Sequence, residues 1–345
     1  MTPPLLLTRD LALQDELARL AAAAGVSLDT ERHAAAALGR WTSAPLVLVG
    51  PDVGDELAAL SPPRRAQVLL VLVAPAPDAA FRTAVAIGAE AVVDLPDRRA
   101  WLTEALIDLG DADPAPGRVI GVVAGSGGAG ATTFACALAQ VAARDGGTAV
   151  VVDTDPFGPG ADRVLGLDGA DGVRWGDLGQ TAGRLGARSL REALPSRDGL
   201  AVLTWETGTP GRLSPPVLRE SLSAARRGHE LVVVDLARGA DDPLVVEVAL
   251  RCDALVVMAR PTVASAAATA RVVARFAGHP RVALVSRGSG AVAEEVASVT
   301  GLPLLATMPD QRRVAESVDL GLGPVRVRRG PLARTARTVL GLLAA

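Results

Sequence analysis

After an apolar run at residues 119–123, the chain reads Gly125-Ser126-Gly127-Gly128-Ala129-Gly130-Ala131-Thr132-Thr133. This matches the frame G-x-x-x-x-G-K-[ST] at every position but one, with Ala131 where the lysine belongs. Strand, glycine turn and helix in that order present backbone N–H groups at a helix N-terminus, a cradle suited to a polyphosphate. The missing ammonium is the group that reaches the β- and γ-phosphates. No other lysine can replace it: all 35 basic residues are arginine, and asparagine and tyrosine are absent too. A GC-rich gene accounts for arginine on the surface. It accounts less well for alanine in the loop, where a required lysine should survive codon bias. The expectation is a nucleotide-binding fold with very slow or absent hydrolysis.

At 345 residues the chain is long enough for two domains, each with its own core. Aromatic residues make up only 2%, so the cores must be aliphatic, and few rings exist for stacking on single-stranded nucleic acid. A net charge of −3 gives no general attraction to DNA or anionic lipid. Cys136 and Cys252 stand alone, and His33, His229 and His279 lack ligand spacing, which points to a reduced, cytoplasmic, soluble protein without a structural metal. The sequence shows neither a signal-type N-terminus nor an apolar stretch of membrane-spanning length.

The segment 111–117, with two prolines and two acids, reads as a linker between a first domain at 1–110 and a second at 118–345. In the first, short apolar runs at 5–7, 26–28, 46–49, 68–73 and 91–93 alternate with helical stretches such as 13–24 and 81–88. Five such units predict an α/β, flavodoxin-like domain. In the second, aliphatic runs at 119–123, 149–152, 200–203, 231–234, 254–258 and 282–285, with a short one near Leu304, predict a mostly parallel sheet covered on both faces.

Two of these runs end in acids. Residues 150–152 lead into Asp153-Thr154-Asp155-Pro156, where two carboxylates two residues apart would project from one side of an extended segment. Residues 231–234 lead into Asp235, the pattern of a strand end that holds the Mg²⁺ shell. With the glycine turn, these predict a P-loop NTPase fold. The candidate nucleotide contacts are Gly127, Gly128, Ala129, Gly130, Ala131, Thr132, Thr133, Asp153 and Asp235, with Thr132 and Asp235 at Mg²⁺.

The first domain resembles a response-regulator receiver, but its chemistry is missing. Gly50 stands at the phospho-acceptor position, and Thr8-Arg9 replace the acidic pair, with only Asp10 nearby. Ala74 replaces the hydroxyl, and Leu95, before Pro96, replaces the lysine. The reading is a pseudo-receiver that docks a partner; phosphorylation at Asp10 or Asp52 is the alternative. The second domain resembles the ParA/MinD ATPases. Ser126-Gly127-Gly128-Ala129-Gly130-Ala131-Thr132-Thr133 is similar to their deviant Walker A motif. Asp153-Thr154-Asp155-Pro156 resembles their first switch, Asp235 with Gly239 their second, and Met308-Pro309-Asp310 the late segment that packs on adenine. A pseudo-receiver ahead of such a domain resembles the CpaE/TadZ branch, and the lysine-less loop is similar to the septum site-determining proteins of high-GC bacteria.

That resemblance implies ATP or ADP with Mg²⁺ as cofactors, Asp155 as the catalytic acid and Pro309 at the base. It also implies a homodimer, a protein partner, and recruitment to the inner face of the membrane at a pole or septum. Ser126 replaces the lysine that relatives insert across the dimer, and Ser286-Arg287 replace their base-contacting asparagine. Arg238 is the nearest arginine that could compensate, with Arg260 and Arg287 behind it. The function implied is spatial regulation of cell division, or of a pilus or secretion apparatus, with hydrolysis weakened or lost. An active switch ATPase and a DNA partition protein are the alternatives. After Gly321 come five arginines and no acid. The apolar positions Leu332, Ala336, Val339, Leu340 and Leu343 predict a final helix that packs on the sheet, lies on a membrane, or presents arginines to DNA.

Overall fold

The computed structural model describes residues 2–95, 97–110, 117–179, 185–206, 213–238, 243–288, 291–311 and 313–344. The chain divides into two compact units, Met1–Ala112 and Asp113–Ala345. Pro96, Gly239 and residues 111–116, singled out above, lie outside the described residues.

In the first unit strands and helices alternate: β1 (Leu5–Leu7), α1 (Leu11–Ala23), β2 (Asp29–Glu31), α2 (Ala34–Trp41), β3 (Val47–Val49), α3 (Pro51–Ala59), β4 (Val68–Leu72), α4 (Asp78–Ile87), β5 (Ala91–Asp94) and α5 (Arg99–Gly110). The strands pair in parallel in the order β2-β1-β3-β4-β5, the flavodoxin-like arrangement. Continuous aliphatic strands fit this sheet because β1, β3 and β4 are buried at every residue. The edge strand departs from expectation. It lies at Asp29–Glu31, not at the apolar 26–28, because an edge strand is only half-buried and its ladder needs no apolar run.

The second unit contains β6 (Arg118–Ala124), α6 (Ala131–Arg144), β7 (Ala149–Asp153), α7 (Ala161–Leu165), α8 (Trp175–Leu178), α9 (Ala187–Ala193), β8 (Ser196–Arg197) and β9 (Leu200–Leu203). There follow α10 (Pro215–Gly228), β10 (Leu231–Leu236), α11 (Pro243–Leu250), β11 (Ala254–Ala259), α12 (Val263–Ala274), β12 (Val282–Arg287), α13 (Ala291–Thr300), β13 (Leu304–Met308), α14 (Arg313–Asp319) and α15 (Pro331–Ala344). The sheet order is β13-β12-β11-β6-β10-β7-β9-β8, parallel except for the short β8–β9 pair. Alternation along β6 sends Ile120 and Val122 into one core with α6 and α15. Val119 and Val123 go into the opposite core, with α10 and α12.

The final helix packs on the sheet. Leu332, Ala333, Ala336, Val339 and Leu343 are buried in the α6 core, and Arg337 is bound to Asp145 at 2.7 Å. The apolar face a membrane helix would insert is therefore already covered by protein. Among the described residues no helix is long and apolar enough to cross a membrane.

Candidate functional site

The glycine loop joins β6 to α6. Gly128 (φ 69°) and Gly130 (φ 90°) take left-handed conformations that only glycine adopts freely. A Cβ added at Gly127 or Gly128 would meet nothing within 4 Å, so the loop's mouth is open. Gly130 caps α6 without a side-chain hydrogen bond, which leaves the first-turn N–H groups for a ligand. Ala131 begins the helix, 7% exposed and packed in the α6 core. Thr132, next along, lies near enough to the Asp235 carboxylate to favour its ionised form. Thr133 is half-buried on the same turn.

The sheet brings the acids together. β10 lies between β6 and β7, with Asp235 opposite Val122 on one side and Asp153 on the other. Both carboxylates are almost fully buried. Burial pushes Asp235 up to about 8, with the neighbouring Asp153 adding to the rise and the Thr132 hydroxyl opposing it. Burial likewise raises Asp153 to about 6, opposed by its hydrogen bonds to Thr204 (2.7 Å) and to the Asp155 and Ala161 N–H groups (3.0 and 3.1 Å). A divalent ion held beside Thr132 would oppose this shift, because a nearby positive charge favours the ionised carboxylate. Thr154 locks the two strand ends by donating its N–H (3.0 Å) and its hydroxyl (2.8 Å) to the Asp235 carbonyl.

Asp155 behaves differently from expectation. β7 stops at Asp153, and the Asp155 N–H folds back onto the Asp153 carboxylate, so the two acids do not project from one extended segment. The Asp155 carboxylate accepts from the Phe157 N–H at 3.0 Å, and Phe157 beside it is 82% exposed. Asp155 nonetheless sits close enough to raise both other acids.

Spatial neighbours differ from sequence neighbours among the arginines. The guanidinium at the loop belongs to Arg287, whose NH1 donates to the Gly128 carbonyl at 3.1 Å and whose Nε donates to Asp310 at 2.5 Å. Arg238, nearer in sequence, gives its carbonyl to Arg275 at 2.8 Å. Pro309, beside Asp310, is exposed at the end of β13. Ser126 is turned inward, with its hydroxyl 2.8 Å from that of Ser265 on α12. Trp175, which the sequence marks only as a packing residue, supports the site: its Nε1 donates to the Asp153 carbonyl at 2.7 Å. No pattern in the sequence signals that contact.

The corresponding corner of the first unit is closed. Asp10 caps α1, accepting from Ala12 and Leu13 at 2.8 and 3.3 Å. Asp52 accepts from the buried Thr8 hydroxyl at 2.8 Å and from the Arg9 N–H at 2.6 Å. Arg9 also pairs with Glu56, which in turn accepts from the Ala34 N–H at 3.1 Å. A Cβ at Gly50 would lie 2.3 Å from an Asp52 oxygen and 2.5 Å from the Thr8 hydroxyl. The acids offered for phosphorylation are thus occupied as caps and tethers. Among the described residues no cluster of three or more His, Cys, Asp or Glu side chains could hold a metal ion.

Residues 7–117 match the model of the Rv3660c-like, CheY-like N-terminal domain. The chain is 38% identical to protein Rv3660c of Mycobacterium tuberculosis H37Rv over 344 residues, covering 97% of this chain and 96% of that one. The chain belongs to the Rv3660c-like family. The relative itself is described only as uncharacterised. The P-loop unit of this Rv3660c-like protein has the ParA/MinD fold. It is similar to a ParA family ATPase from Chlorobium tepidum (17% identity, 65% of this chain and 98% of that one, TM-score 0.55). It is also similar to the septum site-determining protein MinD of Pyrococcus horikoshii, solved with Mg-ADP (18%, 66% and 98%, TM-score 0.54). A third likeness is to the MinC:MinD cell division complex of Aquifex aeolicus (17%, 65% and 96%, TM-score 0.55).

Proposed function

We propose that this protein is a spatial regulator of cell division, or of a membrane-associated apparatus, which binds Mg-nucleotide and turns it over very slowly or not at all. The observation that carries the reading is an open glycine cradle, with Thr132 beside the buried Asp235, in a loop whose lysine is alanine. Backbone N–H groups of residues 127–132 would hold the phosphates. Thr132 and Asp235 would hold Mg²⁺, with Asp153 behind them. The bound ion would supply charge neutralisation between the phosphates and the acids. Asp155, placed at the first switch-like turn, is proposed as the group nearest an attacking water. Pro309 would face the base.

The known contexts of the structural neighbours, MinD and MinC:MinD complexes among them, support the cell-division reading. The boundaries at 1–110 and 118–345 are proposed as those of independently acting domains. The closed acid corner supports a docking role for the first, and dimerisation of the second is proposed to accompany nucleotide binding. Recruitment to a pole or septum would run through a protein partner, because α15 has its apolar face in the core. The test is calorimetry of the full chain with Mg-ATP and Mg-ADP, followed by phosphate-release assays. Saturable binding with no release above a buffer blank supports the reading; the absence of any binding overturns it. A tagged copy spread evenly through the cell, without a division phenotype on overexpression, would remove the spatial part.

An active switch ATPase is the second reading. The guanidinium of Arg287 at the loop favours it, and turnover abolished by Asp155→Ala and by Asp235→Ala would establish it.

A further inference from the structure

The glycine loop offers only neutral donors, its backbone N–H groups and hydroxyls, and Ala131 brings no charge. An anion of two or three phosphates seated there needs a cation from elsewhere in the fold. Arg287 lies at the end of β12, two strands away from β6. Alternation along β12 buries Leu284 with the α12 core and Val285 with the α6 core, and Arg287 falls on the α6 side with the loop. Its NH1 reaches the Gly128 carbonyl, and a Cβ at Gly130 would stand 3.6 Å from that same nitrogen. The guanidinium is therefore beside both left-handed glycines.

It is also prepared for a ligand. A guanidinium has five N–H donors. The contacts to Gly128 and Asp310 engage NH1 and Nε, which leaves donors on NH2 and one on NH1. The side chain is 38% exposed, so it is not sealed in the core. Asp310 fixes the fork through Nε, and an arginine held in this way loses little further freedom on binding an anion.

We propose that Arg287 supplies the phosphate-binding cation of this site, positioned by Asp310, in place of the lysine that Ala131 lacks. The inference rests on the nucleotide reading above and assigns a residue to it that lies far from the loop in sequence. The same placement allows one competing role, in which the Arg287–Asp310 pair is a strap that holds the loop shut.

The full-length protein and its Arg287→Ala, Arg287→Lys and Asp310→Ala variants are titrated with Mg-ADP and, separately, with inorganic tripolyphosphate. Arg287→Ala should weaken both ligands at least tenfold, and Arg287→Lys should recover part of the loss. Because the side chain is partly exposed, thermal melting should confirm that the variants are folded. Unchanged affinity for both ligands in Arg287→Ala overturns the proposal while leaving nucleotide binding intact. A loss confined to Mg-ADP assigns Arg287 to the base or ribose, and overturns the phosphate role. Tighter binding in both Arg287→Ala and Asp310→Ala identifies a strap and also overturns it. If the wild-type chain binds neither ligand, the nucleotide reading falls and this inference with it.

Discussion

Both units have lost the residue that defines the chemistry of their fold, and they have treated the vacancy in opposite ways. In the receiver-like unit the space beside Gly50 is filled: the Asp52 carboxylate and the Thr8 hydroxyl occupy the volume an aspartate would need. In the P-loop unit the mouth of the loop stays empty around Gly127 and Gly128. Its acids Asp153 and Asp235 are buried beside one another, which raises both in pKa. A site that has become scaffolding relaxes, because unpaired polar groups and empty volume cost stability. A site that keeps such costs does so where a ligand offsets them. This difference is what supports the docking role proposed for the first unit and the binding role proposed for the second.

The comparison can be broken most forcefully at Gly50. Its backbone (φ −75°) suits any residue, so only space opposes a side chain there. Gly50→Asp should destabilise the first unit by about 4 kcal/mol, from overpacking together with a carboxylate introduced at a buried position beside Asp52. Asp52→Ala in the same chain should recover part of that loss. Urea unfolding followed by circular dichroism measures both, and an unperturbed Gly50→Asp protein would mean the corner is open after all.

Asp235→Asn addresses the other side. A carboxylate raised in the folded state from 3.8 to about 8 keeps its proton there while the unfolded chain gives it up. Without metal, the folded protein then binds more protons than the unfolded one between these values. The stabilisation is complete below about pH 4 and is lost as pH rises towards 8. Asparagine removes this penalty, so metal-free Asp235→Asn should gain on the wild type by about 5 kcal/mol at pH 8 and by little at pH 4. The same variant should lose Mg-nucleotide binding. A variant less stable than wild type at pH 8 would show that the pair is not strained.

Restoring the ammonium sharpens the comparison further. Ala131→Lys adds a charge-assisted contact at an open anion site and should raise Mg-ATP affinity by about tenfold to a hundredfold, or about 1.5–3 kcal/mol. A folded variant with unchanged affinity would place the P-loop unit in the same class as the closed receiver. Adding Ser126→Lys is not expected to restore turnover, since Ser126 points inward onto Ser265. The smallest effect is expected from Thr8→Val, which keeps the shape of a fully buried side chain but removes its bond to Asp52. It should cost about 1 kcal/mol by thermal melting. No change would mean that the network in the first unit is incidental.

The alternating aliphatic runs, the glycine loop and the acids at two strand ends were readable in one dimension, because strand burial and left-handed turns are local demands on residue type. That is why the two α/β units, their parallel sheets and the group Gly127–Thr133, Asp153 and Asp235 could be placed without coordinates. The polar edge strand Asp29–Glu31 escaped, since an edge makes no such demand. Tertiary structure alone decided the rest. It brought the Arg287 guanidinium to the loop from the end of β12, 159 residues along the chain from Gly128, a contact that no local pattern signals. It turned Ser126 towards Ser265 and directed Asp155 to its own turn. It filled the space at Gly50 with groups from residues 8 and 52, and it buried the final helix, whose periodicity alone is the same for a core and for a bilayer. Residue type fixes what a position can do, but only packing fixes what it faces.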